Sequence, residues 1–258
     1  MTELRFTGTG SLGSHRCKNK LSREYRRFSS LLIDEKIIID PSEDLFEFED
    51  SFMLTGITDS IQAVIVTHSH LGHLSINAIE KLNTRHEGLA VYGNEAVCRA
   101  LSGIPGIRLK QLLPFEIFSL CGYEIIALPT NHITDTPKET ALNFLFRKGK
   151  SFFYGLDGGF INPATFKVIR ELKPEVYILD CALGDGRISE AAVYHNNLDG
   201  ALKIRELLIN SGIAADETRF ILSHLPSEKR REIHEELSLI LEEYPTVKLA
   251  YDGYYLKV

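Results

Sequence analysis

The most informative stretch of the chain reads Ala63-Val64-Ile65-Val66-Thr67-His68-Ser69-His70-Leu71-Gly72-His73. Its apolar, β-branched start predicts a buried strand. His68 and His70 stand two residues apart, so they point to the same side of an extended segment, and His73 can join them once the chain turns. Neutral imidazoles are good ligands for zinc and other borderline metals. The stretch therefore predicts a metal site at the end of a strand.

Three further residues of metal-binding type follow other predicted strands. His132 comes after the strand 123–128, Asp157 after 151–154, and His224 after 219–222. Rigid scaffolds commonly present functional side chains just beyond such ends. Together with the histidine segment they give six candidate metal ligands: His68, His70, His73, His132, Asp157 and His224.

Predicted strands and helices alternate along the chain. The strands include 4–7, 30–33, 37–39, 63–67, 123–128, 142–146, 151–154, 176–179 and 219–222, and the helices are 75–84, 94–102, 162–172, 196–210 and 227–242. Strand hairpins occur beside strand–helix units, which indicates an α/β fold with mixed sheets. No linker-like composition interrupts the chain, so we expect one domain over residues 1–258.

Composition excludes several classes of protein. Lys and Arg number 29 against 35 Asp and Glu, a net charge of −6, which argues against a stable DNA partner. No apolar run approaches the roughly 18–20 residues of a membrane span, and the amino terminus lacks a signal-peptide layout. The four cysteines are far apart, so neither disulfides nor a thiolate zinc site is indicated. We expect a cytoplasmic protein without a membrane partner.

Two motifs match known patterns only in part. Gly8-Thr9-Gly10-Ser11-Leu12-Gly13 has the spacing of a dinucleotide-binding turn, but basic and polar residues follow it instead of an amphipathic helix, so we interpret it as a tight turn. His234-Glu235 begins like a zinc-protease helix but lacks the second histidine, and we expect His234 to lie at the surface. The basic segment 16–27 is either a solvated loop or a rim that attracts phosphate.

The order HxHxxH, His, Asp, His resembles the metallo-β-lactamase superfamily over essentially the whole chain. Further matches point to the branch of the phosphonate-pathway cyclic phosphodiesterases and RNase Z. They are the turn 8–11, Arg26-Arg27 before the strand Ser29-Ser30-Leu31-Leu32-Ile33, His195-Asn196-Asn197-Leu198, Leu222-Ser223-His224-Leu225, and Tyr251-Asp252-Gly253. The resemblance implies a four-layer αββα sandwich with two metal ions at one edge.

The resemblance also implies a role for each residue. His68, His70 and His132 would hold the first metal, His73 and His224 the second, and Asp157 would bridge them. Asp40 and Asp180, at two strand ends, would orient the ligands. His195 would protonate the leaving oxygen. Apart from the resemblance, Arg26 and Arg27 in the basic segment 16–27 are candidates for binding the anionic substrate.

One position departs from the family pattern. Gly72 stands where the family's HxHxDH segment has an aspartate that binds the second metal. Three protein ligands and a shared hydroxide still make four, enough for tetrahedral zinc. We expect two divalent ions, with zinc first and manganese or iron as alternatives, and weaker binding at the second site.

The function that follows is hydrolysis of a small cyclic or nucleotide-like phosphodiester by metal-bound hydroxide. One alternative is a weakly metallated or inactive binding protein, because Gly72 marks a lost ligand. Another is a thioester or lactone hydrolase, since a metal pair does not select the bond that is cleaved. The sequence leaves a homodimer open.

Overall fold

The computed structural model describes residues 1–11, 17–186, 194–226 and 233–258. Within these ranges the strands form two sheets of seven. The first contains β1 (Glu3–Gly8), β2 (Ser30–Ile33), β3 (Ile37–Ile39), β4 (Ala63–Ile65), β5 (Ala90–Gly93), β6 (Arg108–Gln111) and β14 (Tyr255–Lys257). The second contains β7 (Ile117–Leu120), β8 (Tyr123–Pro129), β9 (Leu142–Lys148), β10 (Lys150–Gly155), β11 (Val176–Asp180), β12 (Arg219–Ser223) and β13 (Val247–Leu249).

Both sheets are mixed and share one layout. The first has the order β14-β1-β2-β3-β4-β5-β6 and the second β13-β12-β11-β10-β9-β8-β7. Pairing is parallel from β3 to β6 and from β10 to β13, and antiparallel elsewhere. Parallel strands end at the same edge of a sheet. The segments that follow β3, β4, β10 and β12 are therefore brought together.

Six helices are described: α1 (Asp44–Ser51), α2 (Ile76–Arg85), α3 (Glu95–Leu101), α4 (Pro163–Leu172), α5 (Leu198–Asn210) and α6 (Ile233–Ile240). Four begin at a side-chain cap, in which Ser75, Asn94, Asn162 and Asn197 accept a backbone N–H of the first turn. Such caps satisfy donors that have no partner within the helix. Among the described helices, none is long and apolar enough to cross a membrane.

Alternating strand residues divide the interior into three cores. Ile37 and Ile39 belong to the core between the sheets, whereas Ile38 belongs to the core under α1–α3. In the second sheet, Phe152 faces the first sheet and Phe153 faces α4–α6. This alternation follows from the two-residue period of a strand. The result is the helix–sheet–sheet–helix sandwich that the sequence predicted, and the fold class is confirmed.

The helix α1 was not predicted. Its buried face carries Leu45 and Phe48 but also Glu49, so a charged residue interrupts the apolar stripe. Glu49 accepts hydrogen bonds from the backbone of Gly56 and from the hydroxyl of Thr58, which explains how a carboxylate is accommodated there. The predicted helix 227–242 is present as Ile233–Ile240, and its residues 227–232 lie outside the described ranges.

Candidate metal centre

The candidate ligands meet at the edge where the parallel strands end. From the first sheet, Asp40 follows β3 and the histidine segment follows β4. From the second sheet, His132 follows β8, Asp157 follows β10 and His224 follows β12. They surround a cavity of about 570 Å³ whose lining includes His70, His73, His132, Asp157, His195 and His224. That volume suits a small-molecule ligand.

One cluster of imidazoles combines His68, His70 and His132. Nδ1 of His70 lies 3.1 Å from Nε2 of His68 and 3.1 Å from Nε2 of His132. The ligand atoms of these three residues fall within 4.8 Å of one another, a spacing that allows a shared metal ion. Two further groups meet the same criterion: His68 with His73 and Asp157, and His132 with Asp157 and His195.

Asp40 orients two of the histidines. Its Oδ2 lies 2.8 Å from Nδ1 of His73 and accepts the hydroxyl proton of Thr67 at 2.8 Å. Because that hydroxyl proton is committed, the Thr67 oxygen, 3.0 Å from Nδ1 of His68, acts as acceptor there. In both imidazoles Nδ1 is therefore a donor, and Nε2 is the nitrogen left to face the centre.

Asp157 lies between His73 and His224. Its Oδ2 is 3.0 Å from Nε2 of His73 and its Oδ1 is 3.0 Å from Nε2 of His224. Nδ1 of His195 lies 3.3 Å from the same Oδ1. The Asp157 side chain is 5% exposed, so water screens these contacts little. A buried carboxylate with an imidazole nitrogen against each oxygen is placed to bridge two ions.

Burial and neighbouring charges shift the pKa values of the groups at this centre, and the two effects oppose each other at His73 and Asp157. Burial opposes charging of His73, but Asp157 and Asp40 overcome it and raise the pKa of His73 to about 10. Burial likewise opposes ionisation of Asp157, yet His224 and His73 hold the pKa of that carboxyl well below its usual range. Burial lowers the pKa of His132 to about 4 and takes the pKa of His68 well below its ordinary value.

The donor set fits divalent metal ions. Among the described residues, Oδ2 of Asp157 is buried without a hydrogen bond of acceptable geometry, and so is Nδ1 of His132. Unpaired buried polar atoms are costly and rare. Neutral imidazoles and one carboxylate are donors that borderline metals accept. A cation at this centre would satisfy Oδ2 of Asp157, which the described part of the chain leaves without a hydrogen bond.

Three residues of the centre have strained backbones. Asp40, Asp157 and His224 adopt φ angles of 49°, 53° and 58°. Such left-handed conformations cost about 1–3 kcal/mol each at residues other than glycine, and they tend to cluster at functional sites. Asp40 and His224 come directly after a strand and Asp157 two residues after one, so the strain turns these side chains from the sheet towards the centre.

Asp180 acts on backbone groups instead of imidazoles. Its Oδ1 accepts the N–H of Asn196 at 2.8 Å and of Ala182 at 3.1 Å, and its Oδ2 accepts the N–H of Gly158 at 3.4 Å. Burial raises the pKa of this carboxyl. Because Gly158 adjoins Asp157, and Asn196 adjoins His195, Asp180 holds the backbone beside both.

The structure does not support a substrate-binding role for Arg26 and Arg27. Their exposed fractions are 1% and 0%. Nη1 of Arg27 pairs with Asp252 at 3.0 Å, while Nη1 of Arg26 donates to the Thr9 hydroxyl at 3.0 Å. Both guanidinium groups therefore bind inside the protein through their Nη atoms, although the Nε of each has no hydrogen-bond partner among the described residues. The basic segment was interpreted as a loop or rim, but its last two arginines are buried structural residues.

The expectation that His234 lies at the surface is wrong. The residue is 5% exposed, and its Nδ1 lies 3.3 Å from Nη2 of Arg26. Burial, followed by the charge of Arg26, lowers the pKa of His234 to about 3. The expectation was based on its charged neighbours in the sequence, which are typical of a solvent-exposed helix face. Its actual partner is more than 200 residues away in sequence.

Sequence reasoning missed three residues of this region. Ser29 contacts His224, and Thr67 contacts both Asp40 and His68. Both lie beside residues that carry a sequence motif, so their hydroxyls are visible in the sequence, but nothing there identifies their partners. No sequence motif points to Phe28. Two atoms of its ring lie 3.1 and 3.3 Å from the position that a β-carbon on Gly72 would occupy. An aromatic ring therefore packs against the position at which the family carries its aspartate.

Known proteins with this fold include hydrolases. A diphosphatase from the PhnP family superposes with a TM-score of 0.75 at 22% identity, covering 100% of this chain and 98% of that one. The metallo-β-lactamase fold protein YhfI from Bacillus subtilis superposes with a TM-score of 0.73 at 15% identity, covering 100% of both chains. The short form of human tRNase Z superposes with a TM-score of 0.68 at 14% identity, covering 99% of both chains. Likeness at these identities establishes the fold.

Sequence comparison supplies the family. No curated protein sequence matches the chain. The sequence pattern of a family described as a β-lactamase superfamily domain matches residues 35–224, about three quarters of the chain and all six candidate ligands. The histidine segment, the following His132 and Asp157, and the closing His224 thus occur in one matched unit on the matching fold, and the chain belongs to the β-lactamase superfamily.

Proposed function

We propose that this protein is a metal-dependent phosphodiesterase that hydrolyses a small phosphodiester at a two-metal centre. The observation that carries the proposal is the position of Asp157. Its two oxygens each lie 3.0 Å from Nε2 of a histidine, His73 or His224. The Nδ1 atoms of those rings already face Asp40 and Ser29. The Nε2 atoms that remain converge on the carboxylate of Asp157, and a cation bound between them would take the place of a proton on these nitrogens.

The ligands divide between two positions. His68, His70 and His132 would hold one ion, His73 and His224 the other, and Asp157 would contact both. This nitrogen-rich set favours zinc, and manganese or iron are alternatives. Bound there, divalent ions would neutralise charge on the phosphoryl oxygens and lower the pKa of an attacking water.

The remaining chemistry falls to His195. Hydrolysis forms a bond from water oxygen to phosphorus and breaks the bond to the leaving oxygen, which then needs a proton. The His195 side chain is 26% exposed, and its Nδ1 is 3.3 Å from Oδ1 of Asp157. It therefore lies between the centre and solvent, where it can give a proton to the leaving group and regain one from water.

The relatives support this reaction class. Solved structures of the same fold include a diphosphatase and a tRNA-processing enzyme. The cavity of about 570 Å³ fits a mononucleotide-sized ligand better than a folded RNA. We therefore propose a small-molecule substrate for this chain.

The test combines metal analysis with hydrolysis of bis(4-nitrophenyl) phosphate. We expect up to two metal ions per chain, turnover that chelation abolishes and added metal restores, and loss of turnover in Asp157→Asn. Asp216→Asn changes an exposed aspartate away from the centre and should leave turnover intact. Metal binding without phosphodiester cleavage would contradict the proposal, and cleavage of a thioester or lactone instead would identify the other hydrolase. A chain that binds no metal would be the inactive binding protein.

A further inference from the structure

Phe28 forms part of the wall beside the reacting centre. The ring contacts Gly72, which stands between His70 and His73 in the chain, and it lines the same cavity as Asp157 and His195. Phe28 is half-buried, so part of the ring faces the cavity. A substrate held at Asp157 must place its substituents against the walls of this cavity.

The backbone around Phe28 is fixed on both sides. The N–H of Gly10 donates to the carbonyl of Arg27 at 2.7 Å, and the N–H of Ser29 donates back to the carbonyl of Gly10 at 3.0 Å. The backbone N–H and Nη1 of Arg27 both donate to Oδ2 of Asp252, at 2.9 and 3.0 Å. The buried arginine thus anchors the segment that presents the ring. A surface held this way loses little entropy when a ligand binds.

The cavity lining contains apolar side chains besides Phe28. Leu71 and Leu183 also line it, and Leu71 is 85% exposed. The imidazoles and Asp157 form the polar part of the lining. Exposed apolar side chains within a cavity favour a ligand that covers them and displaces water. The cavity therefore has a polar part suited to a phosphoryl group and an apolar part suited to a substituent.

We infer that Phe28 is a specificity-determining residue that receives an aromatic group of the substrate, such as a nucleobase or an aryl ring. This inference rests on the proposed phosphodiesterase function and names the kind of ester that it favours. The contact is between ring faces, because stacked aromatic pairs are stabilised beyond the burial of area alone. Such stacking corresponds to a factor of about 2–10 in affinity.

The experiment compares two diesters with the same leaving group. Bis(4-nitrophenyl) phosphate and methyl 4-nitrophenyl phosphate both release 4-nitrophenolate but retain an aryl or a methyl group. We expect the wild type to show a KM about 5–10-fold lower for the aryl diester. Phe28→Ala and Phe28→Leu should remove most of that preference with a smaller effect on kcat, and Phe28→Tyr should keep it. Phe115→Ala, at an exposed position outside the cavity lining, is the matched control.

Binding of phosphonates supplies a readout without turnover. Titration of the metal-loaded protein with phenylphosphonate and methylphosphonate should show an aryl preference that disappears in Phe28→Leu. Equal loss for both ligands, or an aryl preference that Phe28→Leu retains, would overturn the inference. If the wild type hydrolyses neither diester, the proposed function fails, and the phosphonate titration still decides whether Phe28 receives an aromatic group.

Discussion

The hydroxyl of Ser29 lies 2.9 Å from Nδ1 of His224 and donates its own proton to the carbonyl of Gly10 at 3.1 Å. Because the serine proton is already committed, the oxygen accepts the Nδ1 proton of the histidine. Nε2 of His224 is then the nitrogen that faces Asp157, 3.0 Å away. Ser29 thus selects the tautomer that can bind a metal.

Ser29→Ala should weaken the second metal. Without the acceptor, the ring of His224 loses both its tautomer and its orientation, and such changes behind a ligand reduce metal affinity by about 10–100-fold. The first metal, on His68, His70 and His132, should be little affected. Competitive titration against a fluorescent zinc chelator resolves the two affinities.

Ser30→Ala is the control for that change. Ser30 is also buried, and its hydroxyl donates to the carbonyl of Ile39 at 3.0 Å. It resembles its neighbour in size and environment without an imidazole partner among the described contacts. Similar losses of the second metal in both variants would contradict the role of Ser29.

Asp157→Asn should lower the occupancy of both metal positions, whereas His224→Ala should lower only the second. The asparagine keeps the shape of the side chain and tolerates the left-handed backbone at this residue, so the change chiefly removes charge. Metal content per chain after gel filtration, measured by mass spectrometry, gives the result. The same pattern of loss in the two variants would exclude Asp157 as the bridge.

Local signals in the sequence predict an α/β fold with mixed sheets and the residues of the centre, whereas the four-layer sandwich follows from the family resemblance. Apolar runs of strand length, each followed by a histidine or an aspartate, are visible without any contact map. His68, His70, His73, His132, Asp157 and His224 were all named in this way. The fold brings them together at one centre, and all of them except His68 line its cavity.

The remaining features depend on contacts between distant segments. Arg26 and His234 look like surface residues by composition, but they meet in the interior across 208 positions. The left-handed backbones of Asp40, Asp157 and His224 have no signal either, because those residue types are common in ordinary conformations. Phe28 packs against Gly72, which is 44 residues further along the chain, and no sequence pattern near either residue predicts this contact.

His234 should make the protein less stable as the pH falls below about 6.5. Burial and the charge of Arg26 lower its pKa to about 3 in the folded chain, against 6.5 for a free imidazole. Between these values the unfolded chain binds one proton more, so the free energy of unfolding decreases with falling pH, by at most about 1.4 kcal/mol per pH unit. Urea denaturation at pH 7, 6 and 5 measures that slope.

In His234→Gln the slope should be shallower. The glutamine amide can still accept a hydrogen bond from Arg26, but it does not titrate. His86→Gln serves as the comparison, since His86 is only half-buried and its Nε2 lies 2.9 Å from the carbonyl of Thr58. The assignment is wrong if the wild type and His234→Gln lose stability in parallel.

Gly72→Asp alone should tighten the second metal by less than about 10-fold. The backbone of Gly72 is outside the left-handed region, so an aspartate meets no conformational barrier there. The obstacle is Phe28, because a β-carbon on residue 72 would lie 3.1 Å from Cδ1 of its ring. Crowding of that kind forces the ring or the loop to move and costs stability.

Replacing Phe28 by a smaller residue should allow Gly72→Asp to increase the affinity of the second metal. In the double variant Gly72→Asp with Phe28→Ala, the introduced carboxylate has room beside His73, and we expect the second metal to bind about 10–100-fold more tightly than in the wild type. Phe28→Ala alone supplies no ligand and should not tighten it. The four proteins form a double-mutant cycle, read by metal titration and by thermal stability without metal. If the gains of the two single variants simply add up to that of the double variant, Phe28 does not block the position, and Gly72 is explained by something other than the ring packed against it.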